Sequence, residues 1–299
     1  MRAAASANLE HTRFVMNAPT PSLRLRIVRK LAEIILARLP TGRWLGKLPF
    51  FPEFIRERVM ARRDHTGLHF GVYKSYAEAY AQIPPSRLAG WDHSESSELW
   101  IDQIDPVRPS TYPVFFWLSK LYGENARLLD LGGSIGLTYY GYRRYSKMPA
   151  NATWTVIEVP KIAEQGRKIA ARELATGLSF GSDLTQVGAC DLLLSAGALQ
   201  FMEQSVPGLL ERLTEKPRYV LLNKLPMTSG PGFWTLQNYG PAVTPNQIYN
   251  ENEFIAYFAS AGYKLRDRWA VQDLDCLIPF YPERFVKEFT GYLFERCDN

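Results

Sequence analysis

With 299 residues, 46% of them hydrophobic and 22% charged, the chain is too long and too apolar to stay disordered, and long enough for one large α/β domain with an appendage. The net charge of +5 is unevenly placed: residues 1–64 carry thirteen Lys and Arg against five Asp and Glu, and the rest is mildly acidic, which argues against a surface built for nucleic acid. Cys190, Cys276 and Cys297 lack CxxC spacing and read as reduced packing residues, and neither a membrane-spanning run nor a secretory h-region is seen, so a cytoplasmic protein, at most peripheral to the inner membrane face, is expected.

Residues 1–21, closing on Pro19-Thr20-Pro21, read as a flexible leader. From Ser22 the apolar positions Leu23, Ile27, Leu31, Ile34, Ile35 and Leu39 recur at helical spacing between Arg24, Arg26, Arg29, Lys30 and Arg38. This basic amphipathic helix opens an extension over 22–64; it either docks on its own domain or lies on anionic lipid or a partner through 22–39. Residues 65–126 read as a helical lead-in or cap. Beyond 126, short apolar strands alternate with helical segments, the pattern of a mostly parallel sheet with crossover helices. Strands are expected at 127–131, 154–158, 178–180, 191–195 and 219–223, then at 263–270 and 292–297. Helices fit at 135–146, 161–175, 206–214 and 252–261. Tyr139, Tyr140, Tyr142 and Tyr145 on the first of these should pack on the sheet.

The stretch Leu128-Leu129-Asp130-Leu131-Gly132-Gly133-Ser134-Ile135-Gly136 sets an acid at a strand end and then a glycine-rich turn that opens a helix. Glycines there admit a ligand that a Cβ would repel, and the helix start offers free N–H groups to an anion. A hydride-carrying dinucleotide site would want G-x-G-x-x-G, and Gly132, Gly133 and Gly136 are offset wrongly for it. A second acid, Glu158, closes the next expected strand 28 residues after Asp130, where a carboxylate can accept both hydroxyls of a ribose.

The first motif resembles that of class I S-adenosylmethionine-dependent methyltransferases, with Asp130, Gly132 and Gly136 matching, Gly133 in a variable slot and Ser134 where a glycine usually stands. Together with residues 71–78 and Thr235-Leu236-Gln237-Asn238-Tyr239-Gly240, it is similar to a family of bacterial methyltransferases of unestablished acceptor, over roughly residues 70–297. The resemblance implies a Rossmann-like α/β fold with helices on both faces, with S-adenosylmethionine as cofactor and S-adenosylhomocysteine as product. It implies cofactor contacts from Asp130, Gly132, Gly133, Ser134, Gly136 and Glu158, an adenine contact from Asp183, and a sulfonium border that includes Ser195 and Ala196. The segment 195–201 lacks the Asn/Asp-Pro-Pro-aromatic signature of base amino methylation, so no nucleic-acid partner is expected. Surface polysaccharide synthesis is a frequent setting in the family.

Methyl transfer from a sulfonium mainly requires alignment and exclusion of water, with a general base needed for a hydroxyl acceptor. The proline- and glycine-rich segment 224–251 reads as a loop insertion serving as lid or acceptor wall in preference to a packed structural excursion, offering Trp234, Gln237, Asn238 and Tyr239, with Asn223 and Lys224 aimed at the same crevice. Lys224 and His93 are the candidates for the base. His65 and His69 have i, i+4 spacing without a completing ligand, and no metal is expected. The expected acceptor is a small molecule or glycan-like hydroxyl or carboxyl, methylated on oxygen. The competing reading is a non-catalytic binding or assembly module on the same fold.

Overall fold

The computed structural model describes residues 38–63, 67–98, 107–204 and 206–297. The expected leader and all but the last two residues of the basic helix lie outside them, as do His11 and His65. Two short helices come first, α1 (Pro40–Leu45) and α2 (Phe51–Ala61), each with a proline in its first turn, where the missing N–H costs nothing. The lead-in then differs from the helical expectation. It contains strand β1 (Leu68–Tyr73), helix α3 (Tyr76–Tyr80) capped by Ser75, the two-residue strand β2 (Leu88–Ala89), and α4 (Ser94–Glu98), before α5 (Tyr112–Leu121).

The alternating half follows the sequence pattern closely: β3 (Arg127–Leu131), α6 (Leu137–Tyr145), β4 (Thr153–Ile157), α7 (Pro160–Arg172), β5 (Leu178–Gly181), β6 (Leu192–Ala196), α8 (Val206–Glu211) and β7 (Tyr219–Thr228). Strands β5-β4-β3-β6-β7 run parallel in that order. The final strands, β10 (Tyr263–Val271) and β11 (Phe289–Arg296), close the far edge, β11 lying antiparallel between β7 and β10. The fold is α/β with a mostly parallel central sheet.

The period of two along each strand divides the core into two layers. Leu128, Leu192, Leu194, Leu221 and Leu293 face α5, α6 and α7, through Val114, Leu118, Tyr139, Tyr142, Ile162 and Ile169. Leu129, Leu193, Val220, Leu222, Tyr292 and Phe294 face α8 and helix α9 (Glu251–Ser260), through Leu209, Leu210, Phe254 and Phe258. Helices therefore cover both faces. Tyr139 and Tyr142 pack as expected around Trp154 and Tyr140 against Tyr139, while Tyr145 at the end of the helix is exposed. Cys190 and Cys276 are buried free thiols, and Cys297 is exposed, against the expectation of packing.

The segment 224–251 is not a loop. β7 continues to Thr228, and β8 (Phe233–Asn238) and β9 (Ala242–Asn250) form an antiparallel hairpin onto which β1 adds at the other edge of β8. Met227 and Thr228 pair with Tyr249 and Asn250, so β7 passes from the central sheet into this smaller one. Among the described residues, no helix is long and apolar enough to cross a membrane.

Candidate functional site

The chain winds outward through β3, β4 and β5, then returns to β6 on the other side of β3, so strand order reverses between β3 and β6. At such a switch point the crossovers diverge and leave a crevice at the carboxyl ends of the strands. A cavity of about 760 Å³ opens there. All five parallel strands contribute to its wall: residues 132–134 after β3, 158–160 after β4, Ser182 after β5, 196–198 around the end of β6, and Lys224 in β7.

The glycine turn is built for close approach. Gly132 has φ 69, and a Cβ there would lie 2.0 Å from the Ala198 Cβ; a Cβ on Gly133 would lie 2.4 Å from the Asp130 carboxylate beneath it. Ser134 adopts φ 55, the left-handed conformation that glycine reaches freely. The Ser134 N–H donates to Glu158 Oε1 at 3.0 Å, and the Val159 N–H donates to Oε2 at 2.9 Å, so the second acid is clamped against the turn.

The two acids divide their roles. Glu158 lines the cavity. Burial pushes its carboxyl up to about 7 despite the two backbone donors, which pull it down, and Asp92 raises it further. Asp130 does not reach the cavity: it is fully buried, and its Oδ2 accepts the Trp154 Nε1–H at 3.0 Å. Burial raises its carboxyl to about 7 as well, opposed by Trp154 and helped by Glu158. Asp130 therefore supports the turn from below, and the expectation of a direct ligand contact is corrected to that of a brace.

Other expected residues sort the same way. Gly132, Gly133, Ser134, Glu158 and Ala196 line the cavity. Gly136 is the N-cap of α6 at φ 94 and lies off the wall, against Tyr140 and Leu178. The buried Ser195 hydroxyl donates to the Leu131 carbonyl at 2.9 Å, tying β6 to β3 behind the surface. Asp183 turns away: its Oδ1 accepts the Thr185 N–H at 2.9 Å, and Thr185 holds its carboxyl below the ordinary range, while its neighbours Ser182 and Leu184 line the cavity. His93 is likewise off the wall, its Nε2 engaged with the Ala89 carbonyl at 2.7 Å, which removes it as a base candidate.

On the hairpin side, Gln237 and Tyr239 reach the cavity and Trp234 and Asn238 do not. Trp234 packs with Phe70 and Leu236 in a separate core under α2 and α3. Asn238 is buried and structural, donating to the Val59 and Arg62 carbonyls and accepting from the Gly240 N–H. The Tyr239 ring stacks on Trp91 at 3.8 Å, and Trp91 meets Phe201 edge-on at 5.2 Å, giving the cavity an aromatic wall. His69 also lines it, pairing in register with Gln237 and receiving the Asn246 amide at Nε2 over 3.3 Å. Burial lowers its imidazole to about 4, so the ring is neutral at pH 7. Trp91, His69 and Arg108 on this wall were not singled out as ligand contacts by the sequence, because β1 and the lead-in reach it through pairings more than 150 residues apart.

Lys224 follows from a fault in the sheet. Thr290 pairs with Leu225 and Tyr292 with Leu222, so Asn223 and Lys224 together oppose the single residue Gly291. This is a β-bulge, a device that re-aims a side chain. Lys224 has φ 60, and it lines the cavity. Asn223, expected on the substrate, instead pins the bulge. It is fully buried, its Nδ2 donates to the Ser110 carbonyl at 2.9 Å, and its Oδ1 accepts the Trp269 indole N–H at 3.0 Å.

No protein-family model and no curated protein matches the chain. Among solved structures it is similar to a 1,6-didemethyltoxoflavin-N1-methyltransferase of Burkholderia thailandensis with S-adenosylhomocysteine, at 15% identity and TM-score 0.44 over 72% of this chain and 98% of that one. It is also similar to a magnesium protoporphyrin IX methyltransferase of Synechocystis with S-adenosylhomocysteine, at 15% identity and TM-score 0.42 over 62% and 81% of the two chains. A third is an S-adenosylmethionine-dependent methyltransferase of Geobacter sulfurreducens in complex with S-adenosylhomocysteine, at 16% identity and TM-score 0.42 over 67% and 96%. Likeness at this level leaves the meaning of the site to this chain's own residues.

Proposed function

We propose that the chain is an S-adenosylmethionine-dependent methyltransferase that methylates an oxygen of a small-molecule or glycan-like acceptor. The observation that carries the reading is the Gly132–Gly133–Ser134 turn clamped to the Glu158 carboxylate at a switch-point crevice. The two glycines let the turn close down on Ala198 and the Asp130 carboxylate while its backbone faces the cavity, and Glu158 keeps free lone pairs beside its two backbone donors to accept ribose hydroxyls. The offset of the glycines speaks against a dinucleotide. Bound there, S-adenosylmethionine supplies an activated methyl group as a sulfonium. The chain's part is to hold the nucleoside at Glu158, keep water out with the Trp91, Phe201 and Tyr239 wall, and present the acceptor from the side of Lys224, Gln237 and His69.

Isothermal titration of the purified chain with S-adenosylmethionine and S-adenosylhomocysteine tests this. Micromolar binding of both is expected, weakened about tenfold in Glu158→Gln, the loss of roughly one charge-assisted hydrogen bond. Absence of binding by the wild type would place the chain with the non-catalytic modules instead.

A further inference from the structure

The Lys224 carbonyl accepts from Gln200 Nε2 at 3.4 Å, but its ammonium has no hydrogen-bond or ion-pair partner among the described residues, although the residue sits in the wall of the cavity. An ammonium drawn partly out of water without a partner is costly, and such groups cluster where a ligand supplies the opposite charge. The local framework is rigid. The Asn223 amide bonds the Ser110 carbonyl at 2.9 Å, and the Ser110 hydroxyl donates to Asp273 Oδ2 at 2.9 Å, so residues 108–110, 223–224 and 273 form one joined corner. That corner brings two cations, Lys224 and Arg108, against one carboxylate, Asp273, all three lining the cavity. The next carboxylate on this wall, Asp275, is already paired with Arg38 at 3.1 Å.

We propose that Lys224 and Arg108 form an anion subsite that takes a carboxylate or phosphate group of the methyl acceptor. Lys224 then acts as a fixed cation that positions the acceptor, not as the base. Burial and the neighbouring Arg108 lower its ammonium to about 8 while Asp273 raises it, so at pH 7 the charged form still predominates. Position assigns the anion to the acceptor. Lys224 lies three strands along the sheet from Glu158, through β3 and β6 to β7, roughly 14 Å at the usual spacing between strands. The glycine turn lies between the two, so the nucleoside and the anion occupy opposite ends of the cavity. A carboxylate also belongs to the cofactor's amino-acid tail, and the test must separate the two sources.

The inference rests on the methyltransferase reading. The protein is saturated with S-adenosylhomocysteine and titrated with inorganic phosphate, acetate, benzoate and 4-hydroxybenzoate, each carboxylate beside its neutral amide. At least one anion should bind saturably and at least tenfold more tightly than its amide. Lys224→Met should abolish that preference, and Lys224→Arg, which keeps the charge but cannot serve as a base, should retain it. No saturable anion binding by the loaded wild type, or a preference unchanged in Lys224→Met, overturns the subsite. A second arm measures S-adenosylhomocysteine against 5′-methylthioadenosine, which lacks the amino-acid tail. If Lys224→Met weakens the first and spares the second, the anion is the cofactor's own and the acceptor assignment fails. Failure of the wild type to bind S-adenosylhomocysteine at all sinks the function reading; binding without anion preference sinks only the subsite.

Discussion

The cavity has two ends, and they are made differently. At the end proposed for the nucleoside, Gly132, Gly133, Ser134 and Glu158 fall within 27 residues, and their contacts follow from a strand, a tight turn and the neighbouring strand. At the end proposed for the acceptor, His69, Arg108, Lys224, Gln237 and Asp273 come from five separate parts of the chain and meet through a bulge, a hairpin and an added strand. A site whose ligand has one fixed shape can be written into one local motif. A wall that must fit a particular acceptor is assembled from elements that can vary independently, as loops and insertions on a scaffold commonly do.

The sharpest way to break the contrast is at the local end. Gly132→Ala places a methyl against Ala198 at a left-handed position, so S-adenosylhomocysteine affinity should fall more than a hundredfold and stability by about 3 kcal/mol, read by titration and thermal melting. If the variant binds normally, the turn does not cradle the ligand. Next comes Asn223→Leu, which strips the bulge of both bonds and should cost about 2–3 kcal/mol of stability while leaving S-adenosylhomocysteine affinity within about twofold. An equal loss of cofactor affinity would show that the two ends are not separable.

Protonation gives a finer cut. Asp130 and Glu158 are both raised by burial to about 7, so the folded ligand-free chain keeps protons that the unfolded chain has released above about pH 4. Its stability should therefore decline as pH rises from about 4 through 7, a trend chemical denaturation can follow. Hydroxyl donors favour the ionised Glu158, so S-adenosylhomocysteine should bind more tightly at pH 8 than at pH 6, and Glu158→Gln should flatten that dependence. The smallest effect belongs to Ser134→Gly. It relieves a left-handed serine whose buried hydroxyl has no partner among the described residues, and should add about 1 kcal/mol of stability with cofactor affinity kept.

The sequence was legible where local rules coincide. The strand at 127–131 appears with the expected bounds, and the other central strands differ by a few residues except β7, which runs on for five more. It misled where a local rule was overruled. Pro226 and Pro245, read as loop punctuation, lie inside β7 and β9, Pro226 at the last β11 pairing before β7 crosses into the smaller sheet. Asp130 and Asp183 show the same limit in side chains. Both are acids near strand ends, yet one is sealed beneath the turn by Trp154 and the other caps a short 3-10 helix.

By itself, then, the amino-acid order determined the alternating α/β pattern and the glycine turn with its second acid, since each depends on hydrophobic period, backbone freedom or short spacing. Only the tertiary structure decided which acid faces the ligand, that 224–251 pairs as strands with β1, and that Lys224 leaves its strand to face Arg108 and Asp273. Those outcomes depend on burial and on pairings between distant segments, where the free energy of packing, not local preference, selects the arrangement.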